Sequence, residues 1–261
     1  MTDATSLEQA LVDLEHDADS AVRSLTAALK DAKKVKAAAA TGQFRDLRQA
    51  LDSSVRLADA AAATTRDVRD GWTFDEEAHF AGGGYAKEVL ALAAEEGVQA
   101  FESDDRILCY PAIVQVASDT TVVIDKKKDR RTRPSVLVAT LKALQSKPPK
   151  FKAEAFLEAL AAGYDLARGR SGARAGTVAK LADVYTVLTV MPGAARDYTK
   201  QEFARDLYLL DLDGTTRTKD GRTMSLPASA LTRGAKSDMF TTVTRTGQAK
   251  LYAGISFEAG E

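Results

Sequence analysis

From Leu7 the chain places Leu7, Leu11, Leu14, Ala18, Ala21, Leu25, Ala28, Ala32 and Val35 at alternating steps of four and three. A helix turns once in about 3.6 residues, so this spacing holds an apolar heptad seam on one side of a long helix. After "AAAATGQ" a second stripe runs through Phe44, Leu47, Leu51, Val55, Ala58, Ala62, Thr65 and Val68 and ends near Gly71. Two long helices with a short link can bury their stripes by folding back on each other, so residues 1–71 are expected to form an antiparallel helical hairpin. Each arm is roughly 40 to 45 Å long, and the many alanines permit close approach. Such a hairpin serves as a structural or oligomerising element.

The rest of the chain reads as mixed helix and strand. In "GWTFDEEAHFAGGGYAKEVLALAAEEG", Thr73 and Glu76 have the spacing of a capping box, glycines 82–84 divide a short helix from a longer one, and Gly97 suits a C-cap. "VQAFES", "RILCYPAIVQVAS" and "TVVIDKK" predict a three-stranded antiparallel meander, with Pro111 marking an edge or a bulge. Pro134 suits the first turn of a helix to about Gln145, and a second helix follows from Lys152 to Ala167. After "RGRSGARAG", read as loop, Thr177 is expected to cap a helix bearing Val178, Leu181, Val184, Tyr185 and Leu188. Thr199 and Glu202 form another capping box, and turns at Asp220-Gly221 and Thr246-Gly247 predict two β-hairpins. Helices followed by hairpins are compatible with a winged helix. The expected class is therefore α+β, with a helical hairpin (1–71), a central region of small antiparallel sheet and helices (72–168), and a C-terminal region of helices and β-hairpins (177–261).

Charge is segregated along this frame. Residues 1–125 hold 23 acidic and 12 basic side chains, residues 126–180 hold 4 and 14, and residues 181–261 hold 10 of each. The densest stretch is "DKKKDRRTRP", with Lys126, Lys127, Lys128, Arg130, Arg131 and Arg133. Crowding six cations into eight positions is unfavourable unless anions are near, so this stretch is a candidate contact for nucleic-acid phosphate or for an acidic protein surface. Arg168, Arg170 and Arg174, set among Gly169, Gly172 and Gly176 ahead of the expected Thr177 cap, are candidates for the same role. No aromatics interleave with the cations, so base stacking is not expected. The lone Cys109 excludes an internal disulfide, and the acidic start and the absence of a membrane-length apolar run point to the cytoplasm and away from a membrane.

Enzyme chemistry has three candidate footholds. "YLLDLDGTT", Tyr208 to Thr216, resembles the first motif of the haloacid dehalogenase phosphotransferases. The resemblance implies Asp211 as nucleophile, Asp213 as acid/base, bound magnesium, and Lys236 or Lys250 on the phosphate. In that family the nucleophile ends a buried parallel strand, whereas the capping box at Thr199 predicts that Tyr208 to Leu210 close a helix. Asp125 and Lys127 form a D-x-K pair of the kind found in restriction-type nucleases, with Asp104 or Asp105 needed as the second acid. Asp75, Glu76 and His79 could share a helix face around a metal, but a further ligand is missing.

The residues thus read as a non-enzymatic cytoplasmic protein without cofactor or metal. Its basic middle contacts nucleic-acid backbone, and its hairpin mediates homo- or hetero-oligomeric assembly. The alternative is a structural subunit that docks an acidic protein; a magnesium-dependent nuclease or phosphatase ranks third.

Overall fold

The computed structural model describes residues 6–103, 106–172, 174, 176–227 and 239–259. The fold is α+β, with N-terminal helices, a small antiparallel sheet and C-terminal strands. Two compact units are present: residues 1–92, 116–122 and 129–138 form the first, and residues 93–115, 123–128 and 139–261 the second.

The first unit is built on helix α1 (Leu7–Thr41) and helix α2 (Phe44–Gly71), which pack against each other as the expected hairpin. Ser6 caps α1 through its hydroxyl, 3.1 Å from the Gln9 N–H. Gly42 ends the helix in the left-handed region (φ 69°), a backbone position that other residues adopt only with strain. The facing residues are mostly small. In α1 the seam follows Leu7, Leu11, Leu14, Ala18 and Ala21 as expected, then steps by three to Ser24, Ala28, Asp31, Val35 and Ala38. In α2 it runs through Leu47, Ala50, Ser54, Leu57, Ala61, Thr64 and Val68. Leu25, Ala32, Phe44, Leu51 and Val55, all expected in the seam, instead point to solvent. Small residues let the two backbones close on each other, and alanines at many phases of both helices leave room to choose the tighter face. Asp31 is 5% exposed within the pair and is held by the Ser53 hydroxyl of the other arm and by Lys34 one turn on.

Two further helices, α3 (Glu76–Ala81) and α4 (Gly84–Glu95), hold the base of the hairpin. Asp75, not Thr73, caps α3, with its carboxylate 2.8 Å from the Ala78 N–H. Gly84 lies so close to α3 that a Cβ there would sit 2.6 Å from His79 Nδ1. From α4, Glu88 accepts the Leu7 N–H (3.0 Å), the Glu8 N–H (2.7 Å) and a hydrogen bond with His79 Nε2 (2.9 Å). A carboxylate against free N–H groups at the positive end of a 35-residue helix is a favourable placement.

The central sheet has five strands where three were expected: β1 (Phe101–Ser103), β2 (Arg106–Cys109), β3 (Ala112–Val116), β4 (Val122–Ile124) and β5 (Lys127–Asp129), in that spatial order. Pro111 accounts for one of the two additional strands, because it turns the chain between β2 and β3 rather than bulging one strand. Asp125 and Lys126, both with positive φ (45° and 70°), make the two-residue turn into β5. Helix α5 (Pro134–Gln145) follows.

The core of the second unit lies among α6 (Ala153–Ser171), α7 (Leu181–Leu188) and α9 (Lys200–Asp213), with the short α8 (Ala194–Asp197) between the last two. The sheet that closes it has the order β6 (Ala179–Lys180), β10 (Gly254–Glu258), β7 (Thr223–Ser225), and a separate hairpin joins β8 (Phe240–Val243) to β9 (Ala249–Tyr252). Helix α7 begins after Lys180 rather than after Thr177, because Ala179 and Lys180 pair with Ile255 and Gly254. The turn at Thr218–Gly221 forms and brings Arg217 opposite Thr223, with the Met224 N–H on the Thr216 carbonyl (2.8 Å), so the expected hairpin is present in short form, and β7 also pairs with β10. Phe203, Ala204, Leu207, Tyr208 and Leu210 of α9 are buried in this core, and Leu209 is buried as well.

Candidate functional site: the basic segment and its carboxylate partners

The cations of 126–133 start on the turn that joins β4 to β5. Asp125 at its head accepts the Ile113 N–H (3.2 Å) and Arg205 Nη1 of α9 (3.0 Å). Lys126 Nζ donates to the Asp197 carbonyl (2.6 Å) and lies 3.3 Å from Glu202, the buried acid of the α9 capping box. Here an acid that the sequence assigned to capping alone also takes up a lysine assigned to phosphate. Burial pushes the neighbouring Asp206 carboxyl above its ordinary range, against the opposing pull of the Arg205 guanidinium beside it.

Further along, Arg131 folds back on Asp129 through its side chain (Nε to Oδ1 3.1 Å and to Oδ2 3.3 Å, Nη2 to Oδ2 2.7 Å) and its own backbone N–H (2.9 Å). Those hydrogen bonds hold Asp129 down at about 2. Arg133 spans Glu8 (2.8 Å) and Glu15 (2.7 Å) of α1. Glu8 also takes the Ser135 N–H and hydroxyl, both at 2.9 Å. Lys142 of α5 pairs with Glu96 at 2.9 Å. Two cations of the basic middle, Arg133 and Lys142, therefore meet acids of the N-terminal region. Lys127, Lys128 and Arg130 are exposed, and among the described residues Lys127 and Arg130 have no ion-pair partner. Lys126 to Lys128 belong to the second unit, and Arg130 to Arg133 to the first.

A cavity of about 370 Å³ opens beside this turn, lined by Arg106, Gln115, Asp125, Lys126, Asp197 and Glu202 among others. Arg106 Nη1 reaches the Thr199 hydroxyl at 3.3 Å. Arg196 completes the lining cations, so three positive groups face three carboxylates. That balance gives no net attraction for phosphate.

The glycine–arginine stretch differs from its sequence reading. Helix α6 continues to Ser171, so Arg168 and Arg170 lie in its last turn and Gly172 is its left-handed cap. Arg174 is exposed beyond it. Cations at a helix C-terminus answer the free carbonyls there, and no helix N-terminus follows at Thr177 to bind an anion.

Among the described residues, the aspartate motif and the Asp75–Glu76–His79 group do not form the expected sites. Asp211 and Asp213 end α9 rather than a parallel strand, and Gly214 (φ 78°) terminates it. Asp211 accepts from Lys250 and from the Tyr252 hydroxyl (2.9 Å), while Asp213 accepts from Thr215. Lys236 lies outside the described residues, as do Asp104 and Asp105, the acids needed beside Asp125 and Lys127. Asp75 caps α3, Glu76 accepts the Trp72 indole N–H (3.1 Å) and His79 turns to Glu88, so the three do not converge.

One feature escaped the sequence reading. Val22, Leu25, Leu29, Phe44, Leu51 and Val55 of the hairpin are exposed. No sequence signal marked it, because alanines at many phases of both helices leave the choice of facing side to close packing. Among the described residues no helix is long and apolar enough to cross a membrane. Comparison of the chain with known protein families, with curated proteins and with solved structures finds no match.

Glu8 offers a pH test of the internal neutralisation. Burial alone would raise its carboxyl, but the hydrogen bonds from Ser135 and Arg133 hold it below its ordinary value. A depressed folded-state value stabilises above the unfolded value and is lost as pH falls through the folded one. Urea unfolding from about pH 5 to about pH 3 should fall less steeply for Glu8→Gln than for the wild type, and the two curves should converge at the acid end. Parallel curves would show that the Glu8–Arg133–Ser135 contact does not form.

Proposed function

We propose that this chain is a non-enzymatic binding protein that assembles through its helical hairpin, the contact surface being an apolar flank shared by α1 and α2. One observation carries the reading: Val22, Leu25, Leu29, Phe44, Leu51 and Val55 are between 47% and 71% exposed. Val22, Leu25 and Leu29 each follow an inward-facing residue of α1, as Leu51 and Val55 do in α2, and Phe44 precedes Leu51 by seven. One residue is a rotation of about 100°. In antiparallel helices the same rotation from the facing direction ends on the same side of the pair, so the six side chains share one flank. Single exposed apolar residues are ordinary on a surface, whereas a contiguous group marks an interaction site.

Charge favours a second copy as the partner. With Glu8 and Glu15 held by Arg133, α1 retains Asp13, Asp17 and Asp19 toward its start and Lys30, Lys33 and Lys36 toward its end. Helix α2 is balanced, with five arginines and five aspartates. Two hairpins laid flank to flank in opposite directions bring α1 onto α1, acidic half on basic half; laid in the same direction they bring α1 onto neutral α2. A closed, two-fold pairing of this kind is the commonest form of self-association. A cytoplasmic setting fits the single cysteine, Cys109, whose thiol burial pushes up to about 12.

Light scattering on a sizing column should give twice the chain mass at micromolar concentration, falling to the chain mass for Leu25→Glu/Leu29→Glu with helicity unchanged. A wild type that stays at the chain mass at the highest soluble concentration contradicts the reading.

The exposed, unpaired Lys127 and Arg130 favour a second reading, contact with nucleic-acid phosphate or an acidic protein surface, to which Arg170 and Arg174 would add. Anisotropy of labelled DNA and RNA across a salt series should then show binding whose salt slope drops by about 2 in Lys127→Ala/Arg130→Ala. Absence of binding at low salt removes the phosphate reading.

A further inference from the structure

At the base of the hairpin an open cavity of about 350 Å³ lies between the first turns of α1, the end of α2 and the extended segment that follows it. Leu14 and Val68 supply apolar surface, and Trp72 and Phe74 supply two rings with centroids 6.0 Å apart and planes inclined by 37°. Both rings are positioned by other groups: the Trp72 indole N–H donates to Glu76 (3.1 Å), and Phe74 and His79 make a T-shaped contact with centroids 5.1 Å apart. The charged groups in the lining are Asp13, Asp17 and Asp75, with no lysine or arginine among them. Asp13 takes the Gln9 amide (2.8 Å) and Asp75 caps α3, while Asp17 has no partner among the described residues.

We infer that this cavity is a binding site for an alkylammonium group. Aromatic faces carry negative quadrupole potential and attract cations, most strongly when the cation is poorly hydrated and its carbon substituents can lie on the rings. Three carboxylates around the same space add to that potential. A compact metal ion is a poorer match, because hard cations need several oxygens converging on one point. Among the described residues no three His, Cys, Asp or Glu side chains are placed to hold a metal. Dispersed acids with apolar and aromatic walls suit a diffuse organic charge, whether carried by a free polyamine or by a lysine side chain of another protein.

Trp72 is the only tryptophan in the chain, so its fluorescence reports on this cavity directly. Titration of the full chain with tetramethylammonium, spermidine and the amide of N-acetyl-trimethyllysine should give saturable changes. Equal ionic strength of sodium chloride, and the neutral isostere tert-butanol, should give none. Asp17→Asn and Phe74→Leu, both checked for unchanged helicity, should each weaken binding by roughly 3- to 20-fold. Tighter binding of spermidine than of the lysine amide identifies a free polyamine as the source, and the reverse order identifies a protein side chain. No saturable response to any of the three, or an equal response to tert-butanol or sodium chloride, overturns the assignment.

Discussion

How closely two long helices can approach is set by the side chains between them, and in this protein alanine and serine set it. Ala21, Ala28, Ala38, Ala50 and Ala61 line the contact between α1 and α2, and the bulkier Leu25, Leu29, Leu51 and Val55 are turned outward as a consequence. A seam of leucines would have buried more apolar area per residue but held the backbones farther apart. The close seam leaves apolar surface in water on one flank, a cost the molecule recovers only if something covers it. Asp31 fits the same frame. A buried carboxylate joined to Ser53 on the opposite arm adds little net stability but ties one particular register of the two helices.

Electrostatics in this chain are largely an internal matter. The segregation of charge along the sequence, acidic before residue 126 and basic after it, looks like preparation for a polyanion. Much of it is instead spent inside: Arg133 on Glu8 and Glu15, Lys142 on Glu96, Lys126 on Glu202, Arg131 on Asp129. Most of these pairs are solvent-exposed and individually contribute only about 0 to 1 kcal/mol. They match part of the basic segment within the chain and leave Lys127 and Arg130 exposed.

What could be read from the sequence followed the range of the interactions involved. Helix limits in the hairpin were legible because the apolar stripes begin at Leu7, break at "AAAATGQ" and end near Gly71, and the Thr199–Glu202 box, which acts on its immediate neighbours, placed the start of α9. The phase of the seam was not legible, since alanines occur at almost every phase of both helices and the choice rests on close packing. Thr177 failed as a cap because β6 is drawn into pairing by Gly254 and Ile255, more than seventy residues later. Pro111 was visible, but whether it bulges or turns the chain depends on the pairing of β2 with β3. The basic residues of 126–133 were all identified, yet their partners on α1 and α9 are brought near only by the fold.

Assembly depends on which face of the hairpin is closed by its own partner helix and which is left for another chain. Thiol-labelling rates at two adjacent positions test this most directly, using Leu29→Cys and Ala28→Cys in a Cys109→Ser background. At high dilution the cysteine at 29 should react rapidly and the one at 28 slowly, and raising the protein concentration should protect position 29 while leaving position 28 as it was. Fast reaction at 28 with protection at 29 in dilute solution would place the leucines in the seam, and a position 29 equally reactive at every concentration would mean that nothing covers the flank.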